Sequence, residues 1–267
     1  MASRLQRKRM ESTLSISDEM VTRTFSRWKA AGIHLLISIF IAAVVVAAML
    51  LIWYPSPYFQ AMGGGGLLML VTGVDVVLGP LITLIIFNTK KKSLKFDLMC
   101  VAIVQMVALA YGVSTMFQAR PVYTVFDKDR FDVIVAADTD AKERAKVTNA
   151  AFKSLPINGP QMVAMETPND MKEVQRMISS GMDSRAFSQY YVAYEAHAKE
   201  AAAASKPLAQ WQKNHPDSVV KLKAFLSAKA FDASKVGFLP LYTRNEDMTA
   251  VLDRETGKIL AIAPVSP

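Results

Sequence analysis

The chain has 267 residues, 52% of them hydrophobic, with a formal net charge of +8 and a mean hydropathy of +0.22. Positive mean hydropathy alongside twelve prolines and twelve glycines excludes an ordinary soluble domain and points to a membrane protein with a soluble portion. The single cysteine, Cys100, excludes an internal disulfide; set in an apolar run, it reads as a small buried hydrophobe rather than a reactive thiol.

The positive charge is local. Before residue 33 seven basic side chains stand against three acids, and Lys90, Lys91, Lys92 and Lys95 fill a later gap, with Asp97 at its edge. From residue 118 onward twenty basic residues meet eighteen acidic ones. The large C-terminal portion is therefore nearly neutral, and nucleic-acid binding loses its main support.

Taken in order, residues 1–25 are polar and basic without periodicity and read as a flexible cytoplasmic tail. A membrane domain follows over residues 26–117, with three predicted spans at 33–52, 67–87 and 97–117. The first is as long as a bilayer requires, about 20 residues, and ends in Trp53-Tyr54-Pro55 instead of a small-residue cleavage site. It reads as a retained anchor. Arg27, Trp28, Lys29 and His34 at one end, and Trp53 and Tyr54 at the other, are the expected membrane-interface anchors. The loop to Gly66 has no charge; its four glycines lack the Lys-Ser/Thr of a phosphate loop. The basic tail and the lysine gap belong on one side and the uncharged loop on the other. That places residues 118–267 across the membrane from the N-terminus, in the periplasm if the membrane is a bacterial inner membrane.

The outer segment mixes strands and helices. Runs at 122–126 and 131–135 flank Asp127-Lys128-Asp129-Arg130 and predict a hairpin. Helical spacing covers 140–152, a short strand 161–165, and a helix capped by Asn169 or Asp170 runs to about Ser179, closed by Gly181. Alanine-rich composition predicts one long helix over 184–204, and another follows Pro216 over 217–229. Three strands are expected at 236–242, 249–252 and 259–263, with a turn over 253–258 between the last two. Strands at both ends with helices between them imply one α+β domain.

Little here suggests catalysis. His197 and His215 lack HExxH spacing, Asp127, Asp129 and Asp132 lack the glycine and closing glutamate of a calcium loop, and no G-x-S-x-G, CxxC or Walker sequence occurs. An enzyme, a metal and a cofactor are not expected. The residue that stands out is Asp75, a carboxylate in the middle of the second span, just before Gly79-Pro80. Such a group is costly in lipid and faces a partner or a wet cavity, while Pro80 lacks an N–H and bends the helix. Three readings stand: an ion or proton site, a partner for a charge on another helix, or a structural carboxyl. For the last, Tyr111 at similar depth on the third span is the expected in-bundle partner.

Several stretches together resemble a known family. These are Phe25-Ser26-Arg27-Trp28-Lys29-Ala30-Ala31-Gly32-Ile33-His34-Leu35, Trp53-Tyr54-Pro55, Gly73-Val74-Asp75-Val76-Val77-Leu78-Gly79-Pro80-Leu81, Phe96-Asp97-Leu98 and Arg120-Pro121-Val122. They are similar to the TfpX/TfpZ family of type IV pilin accessory proteins, over about residues 25–135. The resemblance implies an inner-membrane protein without catalytic activity that assists type IV pilus assembly or surface display. Its implied partners are the major pilin and the pilus assembly machinery, besides membrane lipids. On that footing Asp75, with the groove opened at Gly79 and Pro80, is expected to hold the pilin's membrane helix. A sensor or small transporter subunit built round Asp75 is the rival expectation.

Overall fold

The structure, a computed structural model, describes residues 27–88 and 91–267; the expected tail over residues 1–25 lies outside them. The chain divides into two compact units. One takes the residues up to Val45 together with Met69–Gly112, and the other takes Val46–Leu68 and Val113–Pro267.

The first unit is helical. Helix α1 (Arg27–Ala48) continues through a wider π-turn at Met49–Trp53 and stops before Pro55. After a single turn, α2 (Tyr58–Ala61), come α3 (Gly64–Ile86) and α4 (Leu94–Gln118). All three long helices are long and apolar enough to cross a membrane. Their outer faces carry Leu36, Phe40, Met69, Ile85 and Val104, all exposed. Cys100, expected in a core, is exposed on α4 too. In water such a surface would aggregate; against hydrocarbon it is ordinary.

Within α3 the expected bend takes a specific form. Residues Val74–Leu78 make a π-turn in which the Gly79 N–H donates to the Val74 carbonyl, five residues back. Pro80 cannot donate at all, and the widened turn just ahead of it absorbs the mismatch. Helices α3 and α4 meet where side chains are absent. A Cβ on Gly112 would lie 2.6 Å from a Val71 methyl, and one on Gly79 only 1.9 Å from Gln105 Nε2.

The second unit is built on a seven-stranded mixed sheet. In chain order its elements are β1 (Pro121–Asp127), β2 (Arg130–Val135), α5 (Ala141–Ala145), β3 (Gln161–Met165), α6 (Met171–Ser179) and β4 (Tyr191–Ala193). Then come α7 (Ala198–Ala204), α8 (Leu208–Asn214), α9 (Val219–Ala228), β5 (Val236–Tyr242), β6 (Met248–Asp253) and β7 (Ile259–Ala263). The strand order is β4-β3-β1-β2-β5-β6-β7, with β1–β3 and β2–β5 parallel and the other pairs antiparallel. Burial on both faces of β1 and β5 explains why they read as nearly continuous apolar runs. Val122, Tyr123, Val163 and Phe152 form one core cluster; Trp211, Leu222, Phe238 and Val251 form another.

Most sequence expectations for this unit stand. The hairpin, the strands at 161–165, 236–242 and 259–263, and the helix capped by Asp170 are all present. The turn before β7 is held by Asp253 Oδ1, which accepts from the N–H groups of Glu255 and Thr256 and from the Thr256 hydroxyl. Two helices differ. Over 184–204 the chain makes 3₁₀ turns and strand β4 before α7 begins at Ala198. Tertiary packing overrides alanine's propensity here: the Tyr191 ring meets Tyr123 edge-on at 4.9 Å, and the Tyr194 hydroxyl donates to the Gly257 carbonyl at 2.6 Å. Over 140–152 only α5 is α-helical, because the chain must break to sink Val147 and Phe152 into the core.

The uncharged loop after α1 belongs to this unit. The Tyr54 hydroxyl donates to the Met116 carbonyl at 2.7 Å, and the Tyr58 and Thr124 hydroxyls share a hydrogen bond at 2.9 Å. The Ala61 carbonyl accepts from the Thr243 hydroxyl at 2.8 Å and from the Glu246 N–H at 3.0 Å. Tyr54 is thus corrected from an interface anchor to a core residue: it is fully buried, and that burial raises its phenol to about 12. At the other end of the unit's helical portion, Arg120 is buried, with its guanidinium 3.7 Å from the Phe117 ring centre and Nη1 donating to the Phe117 carbonyl at 2.6 Å. A cation thereby closes the C-terminus of α4, the end where the helix dipole favours one.

Candidate functional site

In the helical unit the polar side chains gather on the inside. Helix α3 buries Asp75, Gly79, Pro80 and Thr83, and the fourfold spacing of Asp75, Gly79 and Thr83 sets them on successive turns of one face. Helix α1 contributes His34 and Ser38, again four apart, and α4 contributes Gln105. His34 Nδ1 and Thr83 Oγ1 share a hydrogen bond at 2.6 Å. The Gln105 amide lies against the bare backbone of Gly79, and His34 Nε2 would be 3.1 Å from a Cβ there. Any larger residue at Gly79 would displace both.

Asp75 opens into a groove of about 240 Å³ whose walls come from α1 and α4. Ile37, Ile41, Met106 and Leu109 make those walls apolar, while His34, Ser38 and Gln105 join Asp75 as its polar lining. Asp75 is only 8% exposed, yet its Oδ1 has no hydrogen-bond partner among the described residues. Buried carboxylate oxygens are normally satisfied, so an orphan is a vacancy for a donor. Chemically the groove can accept a hydrogen bond or a positive charge from one guest group.

The predicted residues fare differently. Asp75, Gly79 and Pro80 are all buried along α3. Tyr111 is 76% exposed and does not line the groove, so the side chains around Asp75 are His34, Ser38 and Gln105 instead. His34 is turned inward to Thr83 and the groove, where the sequence suggested an interface anchor. Arg27, Trp28 and Lys29 sit exposed in the first turn of α1, and Trp53 packs edge-on against Phe117 at 5.3 Å. Ser38, Thr83 and Gln105 were not among the expected site residues; the spacing of four on α1 and α3 aligns each helix's polar positions on one face but does not bring the two faces together. Among the described residues no group of three or more His, Cys, Asp or Glu side chains is placed to hold a metal ion.

Fold and groove together define a class: a protein with three bilayer-length helices, a polar groove among them, and an α+β sheet unit. No solved structure matches the chain. The family described as Fimbrial assembly protein FimB matches residues 22–63, which take in α1 and the loop docked on the sheet unit. The chain is 30% identical over 241 residues to "Fimbrial assembly protein, serogroup I" of Dichelobacter nodosus, covering 88% of this chain and 93% of that protein. It is 29% identical, with the same coverage, to the serogroup E1 protein of that organism. The protein of serogroups C1 and C2 is 37% identical over 112 residues, 41% of this chain and 86% of its own length. The chain belongs to this family of fimbrial assembly proteins.

Proposed function

We propose that the protein is a non-enzymatic accessory factor of type IV pilus biogenesis, one that binds or handles the major pilin in a bacterial inner membrane and so modulates its assembly or surface display. The observation that carries this reading is the reach of the likeness, since a fimbrial assembly protein aligns over 93% of its own length. The TfpX/TfpZ resemblance of residues 25–135 points the same way. In this reading the N-terminus is cytoplasmic and residues 118–267 are periplasmic, the arrangement that the lysine-rich and uncharged gaps favour. The helices engage the pilin's membrane segment, and the outer unit engages its globular head or the assembly machinery.

Deleting the protein while pilin synthesis stays normal should remove surface pili, and the tagged protein drawn from solubilised membranes should bring pilin with it. Undiminished piliation in the deletion strain overturns the reading. A second reading, a membrane-tethered sensor or small transporter subunit, draws on the cluster of His34, Asp75 and Gln105. Solute flux abolished by Asp75→Asn would favour it. One carboxylate makes a poor relay, because proton paths normally need several ionisable groups.

A further inference from the structure

We infer that the groove between α1 and α4 is a docking site for a transmembrane helix of another polypeptide, one that carries a hydrogen-bond donor near its mid-depth and delivers it to Asp75. The inference rests on the proposed reading only in taking α1, α3 and α4 to cross a bilayer. Three observations select the occupant.

The first is the orphaned acceptor. Among the described residues Asp75 Oδ1 is enclosed without a donor, while the neighbouring His34 has its Nδ1 engaged with the Thr83 hydroxyl. The second is depth. Asp75 is the twelfth of the 23 residues of α3, so about 16 Å of helix separates it from either end at 1.5 Å per residue. The hydrocarbon core is about 30 Å thick, so a lipid ammonium group would have to leave its headgroup layer to reach the carboxylate. The third is size. A volume of about 240 Å³ falls below the roughly 300–1,000 Å³ of small-molecule sites and suits one inserted side chain.

A second copy of this chain fits poorly. Phe40, Val77, Val104 and Val107, exposed near the middle of its own helices, carry no donor, and the exposed Tyr111 hydroxyl stands five residues beyond Met106, the midpoint of α4. Met106 on the groove wall is itself 70% exposed, so the groove opens sideways, the direction from which a helix in the membrane arrives. The apolar walls then take the guest helix's flanking side chains, and the donor supplies specificity.

The test uses the full chain in phosphatidylethanolamine–phosphatidylglycerol vesicles, with a photoreactive residue replacing Leu109. The probes are synthetic leucine–alanine transmembrane peptides with asparagine at the centre, asparagine near one end, or none. The central-asparagine peptide should cross-link about tenfold more than either control, as one satisfied buried hydrogen bond implies. Asp75→Leu should abolish the preference, while Asp75→Asn, which keeps an acceptor oxygen, should retain most of it. Equal capture of the three peptides, an unchanged preference in Asp75→Leu, or cross-links only between copies of the chain would each overturn the inference. Should Asp75→Leu fail to insert, the three-peptide comparison on the native chain decides alone. Peptide selection that persists when pilin is not retained would sink the pilin assignment and leave the groove standing.

Discussion

The two units of this chain turn their apolar side chains in opposite directions. In the sheet unit Phe238, Leu239 and Val251 are buried, and charges such as the Arg176 guanidinium pair outside with Glu143 and Glu173. In the helical unit Phe40, Ile85 and Val104 face outward, while His34, Asp75, Thr83 and Gln105 face in. The same residue type is thus buried in one unit and exposed in the other.

That contrast can be broken by paired substitutions. The largest effect is expected for Phe238→Ala, which empties a fully buried site beside Trp211 and should cost about 3–5 kcal/mol of sheet-unit stability in denaturant unfolding. Phe40→Ala in α1 removes a ring that is exposed, and in lipid it should leave that transition unmoved. Equal losses for the two would mean that α1 is packed against protein rather than lipid.

Next in size is Gly112→Ala, whose new methyl meets the stiff, branched Val71 and should loosen the α3–α4 contact by about 1–3 kcal/mol, read as thermal stability in detergent. Gly79→Ala should cost less despite its shorter contact, because the obstructing atom is the free end of the Gln105 chain. A reversed order would show that Gln105 is held fast. Tyr58→Phe should cost about 1 kcal/mol by stripping Thr124 of its buried partner, again seen in sheet-unit unfolding.

The smallest effect is a pH dependence. His197 lies between Glu200, 2.9 Å from Nδ1, and Glu166, 3.3 Å from Nε2; the Glu200 hydrogen bond first, then that of Glu166, raises its pKa above 6.5. A raised folded-state value means the stabilisation is complete below the unfolded value and is lost as pH climbs through the folded one. The denaturation midpoint should therefore fall slightly from about pH 6 to about pH 8, and His197→Gln should flatten that slope.

How much was legible follows from the same contrast between the units. Where signals are local, the sequence sufficed: the Asp170 cap, the Asp253 turn and the runs of β1, β5 and β7 lie where composition put them. Where an aromatic is ambivalent, it did not. Tyr54 beside an apolar helix end reads equally as an interface anchor and as a plug for a neighbouring core, and only the Met116 carbonyl decides. Tyr191 and Tyr194 sit in a helix-forming context yet are claimed by distant partners, Tyr123 and Gly257. In the candidate site Asp75 announced itself because a charge in an apolar run is rare. His34, Ser38 and Thr83 are small or interfacial polar residues that helices tolerate anywhere, so their convergence needed coordinates.

The pair of bonds received by the Ala61 carbonyl also has a mechanical side. The stretch joining α1 to α3 is stitched to the hairpin between β5 and β6, so it is not a slack tether. Thr243→Val would strip one of the two donors from that carbonyl and leave the Glu246 N–H to hold the stretch.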